Sequence, residues 1–178
     1  MNNLDREALE RTTERFKADP AKARETRKVI GRWVLEQGAP QFQAEIPFET
    51  GVVSLEADQP TRRGGSGARP TPLDYWLFGL VACYTSAFVT VATLRGIKLE
   101  ALSTEIEIDR NLAWVFDLAE EPLIEEIHLI LRVATEASSK ALKEIEALAM
   151  QRCPAVYALR HPMEIVVHTI KQSGEEDQ

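Results

Sequence analysis

Apolar residues fall along this chain in two rhythms, and the rhythms mark out its elements. Over 41–48, Phe42, Ala44 and Ile46 alternate with Gln41, Gln43 and Glu45, the period of two expected of a half-buried strand. The same alternation returns over 102–110, where Leu102, Thr104, Ile106 and Ile108 face away from Glu105 and Glu107, and over 123–133 through Ile127, Leu129, Leu131 and Val133. Further strands are expected at 28–35, 52–57 and 163–170. The first three strands are separated only by the tight turns 37–40 and 49–51, which predicts an antiparallel meander. Helical spacing appears over 4–18, with Leu4, Ala8, Leu9, Thr12 and Phe16 near one face. It recurs over 138–151, with Leu142, Ile145, Leu148 and Ala149 as the apolar stripe. Asp19-Pro20 opens a short second helix to about residue 27, Cys153-Pro154 closes the last helix into a short turn, and the polar end 173–178 reads as a disordered tail.

The longest predicted element is a helix over 71–95. Thr71 supplies the N-cap, Pro72 the first turn and Asp74 the N3 acid, while Arg95-Gly96 ends it. Residues 75–94 carry no charge, and twenty such residues are long enough to cross a bilayer. The run also holds Cys83, Tyr84, Thr85, Ser86, Thr90 and Thr93, and its flanks lack a basic bias, so the expectation is a buried central helix and no membrane partner. Strands, long helix, two strands, helix and strand together predict one α+β domain over 28–170, preceded by a helical arm at 1–27 and followed by a tail at 171–178.

Composition narrows the functional classes. With 178 residues, 44% hydrophobic and 28% charged, the chain suits a single globular domain. A net charge of −7 argues against nucleic acid or an anionic membrane as partner. Two cysteines are too few for a disulfide scaffold, and the polar, acidic start reads as no secretion signal, so the expected setting is the cytoplasm with reduced thiols. The loop 58–69 holds Gly64, Gly65 and Gly67 with Arg62, Arg63 and Arg69, but its spacing matches no phosphate-binding motif, and a flexible basic lid or turn is expected. His128, His161 and His168 lie without ligand spacing, so no metal or other cofactor is expected. Trp76, Phe78, Tyr84 and Phe88 could line an apolar pocket or simply pack.

The remaining chemistry lies in Cys83, within the uncharged helix, and Cys153, beyond the later helix and ahead of Pro154. Read alone, each is equally a small buried apolar residue. The combination of Gly64-Gly65, Pro70-Thr71-Pro72, Leu80-Val81-Ala82-Cys83, Arg95-Gly96-Ile97 and Arg152-Cys153-Pro154, in this order, resembles the OsmC/Ohr family across about 28–170. The resemblance implies antiparallel sheets packed on a long central helix, two copies intertwined as a homodimer, and reduction of organic hydroperoxides by a cysteine pair reset by a dithiol reductant. It makes Cys83 the peroxidatic thiol and Cys153 the resolving one. A thiol with its ordinary pKa of about 8.5 is mostly protonated at neutral pH, so such a site needs a cation. Better-understood members hold their arginine with an acid ten residues before the cysteine. Here that position is Leu73, and Asp74 stands nine before, which is similar to the YhfA-like branch. Arg32 is the first choice of cation, with Arg62, Arg63 and Arg69 as alternatives, and Asp74 either orients it or merely caps the helix. The alternative to an enzyme is a non-catalytic relative holding an apolar or acyl ligand in the dimer cleft.

Overall fold

A computed structural model describes residues 1–171. Its axis is helix α2, Pro72–Leu94, whose ends are closed by local chemistry. Thr71 and Asp74 form a reciprocal capping box: the Asp74 amide donates to Thr71 Oγ1 at 3.3 Å, and the Thr71 amide donates to Asp74 Oδ2 at 2.7 Å. At the other end Gly96 takes φ +72°, so its amide reaches Thr93 O while the Ile97 amide reaches Ala92 O. That Schellman arrangement stops the helix where glycine permits a left-handed residue.

The core forms where α2 meets helix α3, Ser139–Arg152, and helix α4, Pro154–Arg160. Leu80, Tyr84, Phe88, Val91 and Ala92 of α2 are buried against Ile145, Ala149, Cys153 and Val156. Strands β4, Ala101–Arg110, and β5, Ile124–Ala134, pair antiparallel and lay Leu102, Ile106, Ile127, Leu129, Leu131 and Val133 over this cluster. Although α2 is long and apolar enough to cross a membrane by length and composition, it is packed here on α3, α4 and β4.

A second sheet is the expected meander of β1, Ile30–Trp33, β2, Phe42–Phe48, and β3, Gly51–Ala57. It joins the helical body through few bonds, among them Asp58 N–H to Pro70 O and Tyr75 Oη to Glu56 O at 2.8 Å. Its apolar side chains Ile30, Trp33, Phe48 and Val52 are exposed. The loop after β3 takes the form of a turn built on an internal acid. The buried Asp58 carboxylate accepts from Ser66 Oγ at 2.5 Å and from the amides of Gln59, Ser66 and Ala68, folding the loop around itself. A Cβ at Gly65 would run into the Gln59 carbonyl, which explains one of the three glycines.

Other expectations are corrected. The stretch after Asp19 is a single 3-10 turn, Pro20–Ala23, rather than a helix to residue 27. Pro154–Arg160 is helical where a turn was expected. Residues 163–170, expected as a last strand, pair with no strand among the described residues, although both sheets have open edges; strand composition alone does not make a ladder. Helix α1, Arg6–Ala18, rests against α2. Just before it, the Asn2 amide nitrogen donates to Thr93 Oγ1 at 3.1 Å and Ile97 O at 2.9 Å, while Asn2 Oδ1 accepts from the Leu99 amide at 2.8 Å. The expected tail at 173–178 lies outside the described residues.

Candidate functional site

The two cysteines, 70 residues apart in sequence, meet: their sulfurs stand 3.4 Å apart as free thiols. Helical geometry puts Cys83 beside Leu80 and Ala87 on the flank of α2 that faces α4. Cys153 arrives by a sharper device. It is at once the C-cap of α3, its amide donating to Ala149 O at 2.9 Å, and the N-cap of α4, its carbonyl accepting from Tyr157 N at 2.9 Å. Its extended backbone, φ −77° and ψ 116°, breaks the helix, and Pro154 starts the next one because a first-turn residue needs no amide proton.

The environments of the two sulfurs differ. Cys153 is wholly buried, and burial above all pushes its thiol pKa up; the Val156 amide opposes this, the hydrogen bond donated to Cys83 adds to it, and the Ala155 amide opposes it least. Burial thus favours the protonated form of Cys153. Cys83 is half-buried and opens on a cavity of about 280 Å³ with Ser86, Ala87, Thr90, Val91, Arg152 and Pro154. Beneath the pair, burial raises the Tyr84 phenol to about 12, with Glu146 and Cys153 adding to the effect.

The other site residues lie apart from this pair within the chain. Arg32, opposite Gln43 across β1 and β2, donates to Gln43 Oε1 at 2.7 Å. Gln43 Nε2 in turn donates to Glu56 Oε1, and Glu56 Oε2 is paired with Arg69 Nε at 2.7 Å, so two of the four candidate arginines are held on one polar ladder across the meander. Arg62 and Arg63 sit on the 3-10 turn Thr61–Arg63. Asp74 is engaged with Thr71. Tyr84 and Phe88 are core residues, whereas Trp76 and Phe78 are exposed. Sequence reasoning did not single out Arg152, which lines the cavity at Cys83. The available signal was its place next to Cys153, but only the turn between α3 and α4 reveals that it shares the Cys83 cavity. Among the described residues no cluster of His, Cys, Asp and Glu is suited to a metal ion.

An α+β subunit with a cysteine from its central helix facing a cysteine from a helix junction defines a recognisable class. The family of OsmC-like proteins matches over residues 64–168, and the chain belongs to it. No curated protein matches. Among solved structures, an OsmC-like protein from Mycoplasma pneumoniae is similar at 20% identity and TM-score 0.55, over 76% of this chain and 88% of that one. An organic hydroperoxide resistance protein OsmC from Legionella pneumophila gives 22%, 0.56, 77% and 92% on the same measures. An organic hydroperoxide resistance protein from Elizabethkingia anophelis gives 18%, 0.54, 77% and 91%. At these identities the likeness shows the fold.

Proposed function

We propose that this protein is a cytoplasmic thiol peroxidase that reduces organic hydroperoxides with Cys83 and Cys153, serves in defence against oxidative stress, and works as a homodimer. The observation that carries the reading is the 3.4 Å approach of the two sulfurs, one half-open to a cavity and the other buried with its proton. The Cys83 thiolate attacks the outer peroxide oxygen; an S–O bond forms, the O–O bond breaks, and the departing alkoxide takes a proton to leave as alcohol. Cys153 then attacks the sulfenic sulfur, the S–S bond forms, and hydroxide leaves with the Cys153 proton as water. The pair gives up two electrons and the hydroperoxide gains them. Two successive thiol–disulfide exchanges with an external dithiol restore both thiols. The sulfurs need to close by roughly 1.4 Å to reach a bond of about 2.05 Å.

The homodimer accounts for the exposed apolar side chains of the meander and for the unpaired segment 162–171, in which Ile165 and Val167 are 86% and 78% exposed. An Arg32–Asp74 pair acting on Cys83 requires the second subunit, since within a chain these side chains engage Gln43 and Thr71. The deciding test treats reduced protein with stoichiometric cumene hydroperoxide and follows free thiols and intact mass. Loss of both thiols with a mass decrease of about 2 Da, absent in Cys83→Ser and Cys153→Ser, is expected for an intramolecular disulfide. Two thiols surviving excess peroxide would leave a non-catalytic relative.

A further inference from the structure

Resting on the peroxidase reading, we propose that Arg152 is the cation that draws Cys83 into its thiolate form, so that one turn of chain supplies both the activating charge and the resolving thiol. The need for a charge is set by α2 itself. Cys83 lies about three turns into this helix, beyond the reach of its N-terminal dipole, and residues 75–94 contain no charged side chain. The cation therefore comes from another element. Of the described residues that line the cavity at Cys83, which also include Ser86, Thr90 and Pro154, Arg152 alone is charged.

Arg152 is also uncommitted. Among the described residues its guanidinium makes no hydrogen bond or ion pair, whereas Arg32 is engaged with Gln43, Arg69 with Glu56, Arg95 with Glu144 and Arg132 with Glu105. It is the basic residue in the last turn of α3, a position that favours a cation, and the break at Cys153 ends the helix beside α2. The two supports for a thiolate are complementary. Arg152 supplies charge from the open cavity, and Cys153 donates its S–H from the buried side. The anion forms when the Cys83 proton passes to solvent through the same cavity, and it attacks a hydroperoxide entering there. After Cys153 closes the disulfide and water leaves, no thiolate remains for Arg152 to hold, so the cation acts only on the reduced enzyme.

The test isolates Cys83 in a Cys153→Ala background and follows its alkylation by iodoacetamide from pH 5 to 10. Arg152→Gln lowers the rate at pH 7 about tenfold, the low end of what one opposite charge nearby does, while the high-pH plateau stays unchanged. Arg152→Lys recovers most of the loss, which a purely packing role would not do. Superposable profiles for Arg152 and Arg152→Gln would overturn the assignment, as would a profile moved by Arg32→Gln and not by Arg152→Gln. Hydroperoxide consumption is measured separately with Cys153 in place. Alkylation that responds to Arg152 while cumene hydroperoxide spares both thiols keeps the assignment and removes the peroxidase reading. Peroxide turnover with unchanged rate and pH profile in Arg152→Gln removes the assignment and keeps the peroxidase.

Discussion

Oxidising the cysteine pair is expected to change the stability of the fold by an amount that follows from its topology. A Cys83–Cys153 bond closes a loop spanning 70 positions, from the middle of α2 through both strands of the β4–β5 sheet to the end of α3. In the chain-entropy account, a cross-link over a loop of that length removes about 4 kcal/mol of disorder from the unfolded chain. For a domain of this size each kcal/mol moves the midpoint by roughly 2–4 °C, so oxidised protein melts roughly 8–16 °C above reduced protein, less whatever closing the last part of the sulfur gap costs. Calorimetry at fixed protein concentration, with and without one equivalent of cumene hydroperoxide, measures the difference, and Cys83→Ser and Cys153→Ser remove it. The reasoning is refuted if both thiols disappear in a single-chain disulfide and the midpoint does not rise. It is refuted differently if the oxidised species runs as a cross-linked pair of chains on a non-reducing gel.

Three further outcomes are expected. Asn2→Ala strips three hydrogen bonds from the end of α2 and leaves the buried Thr93 hydroxyl without this partner, costing about 1–3 kcal/mol in urea unfolding. Tyr84 is held neutral in the fold, so its contribution is complete below pH 10 and is lost as pH rises toward about 12; Tyr84→Phe flattens that part of the stability profile and is near-neutral at pH 8. The Asp58 carboxyl is held below its ordinary 3.8, by the Ser66 hydroxyl above all and against the opposing effect of its own burial. The loop it organises is therefore firm above that value and loosens as pH falls through the lower folded one. Hydrogen exchange of peptides covering 59–70, corrected for intrinsic rates, reports this, and Asp58→Asn exchanges fast throughout.

What was legible in the sequence is what neighbouring residues decide among themselves. Thr71, Pro72 and Asp74 announce the start of α2, and Gly96 its end, because capping chemistry is complete within a few residues. Alternation in β4 and β5 was readable because each has one face on the core and one in water, and β2 carries the same period although its apolar face meets no core within the chain. Residues 154–160 gave no such signal, since seven residues hold barely two helical turns. Those at 163–170 have strand composition, but pairing is a property of two edges and not of one segment. The site divides the same way. The cysteines and Arg152 stood in the sequence as residues, and so did the capping of α2 by Thr71 and Asp74, whereas the meeting of the cysteines depends on α3 breaking at Cys153 and the engagement of Arg32 by Gln43 depends on strand register.

The meander of β1, β2 and β3 has a consequence for mass action. A three-stranded sheet that leaves Ile30, Trp33, Phe48 and Val52 to water gains little from its own apolar surface and is marginal by itself. In the proposed homodimer a second chain covers that surface, and the sheet's stability then becomes a function of protein concentration rather than a constant of the sequence. On that proposal dilution is expected to melt the meander before the helical body, which hydrogen exchange at two protein concentrations checks. Because the ladder carrying Arg32 and Arg69 melts with it, while Cys83, Cys153 and Arg152 stay on the helices, dilution separates the two groups of arginines by experiment.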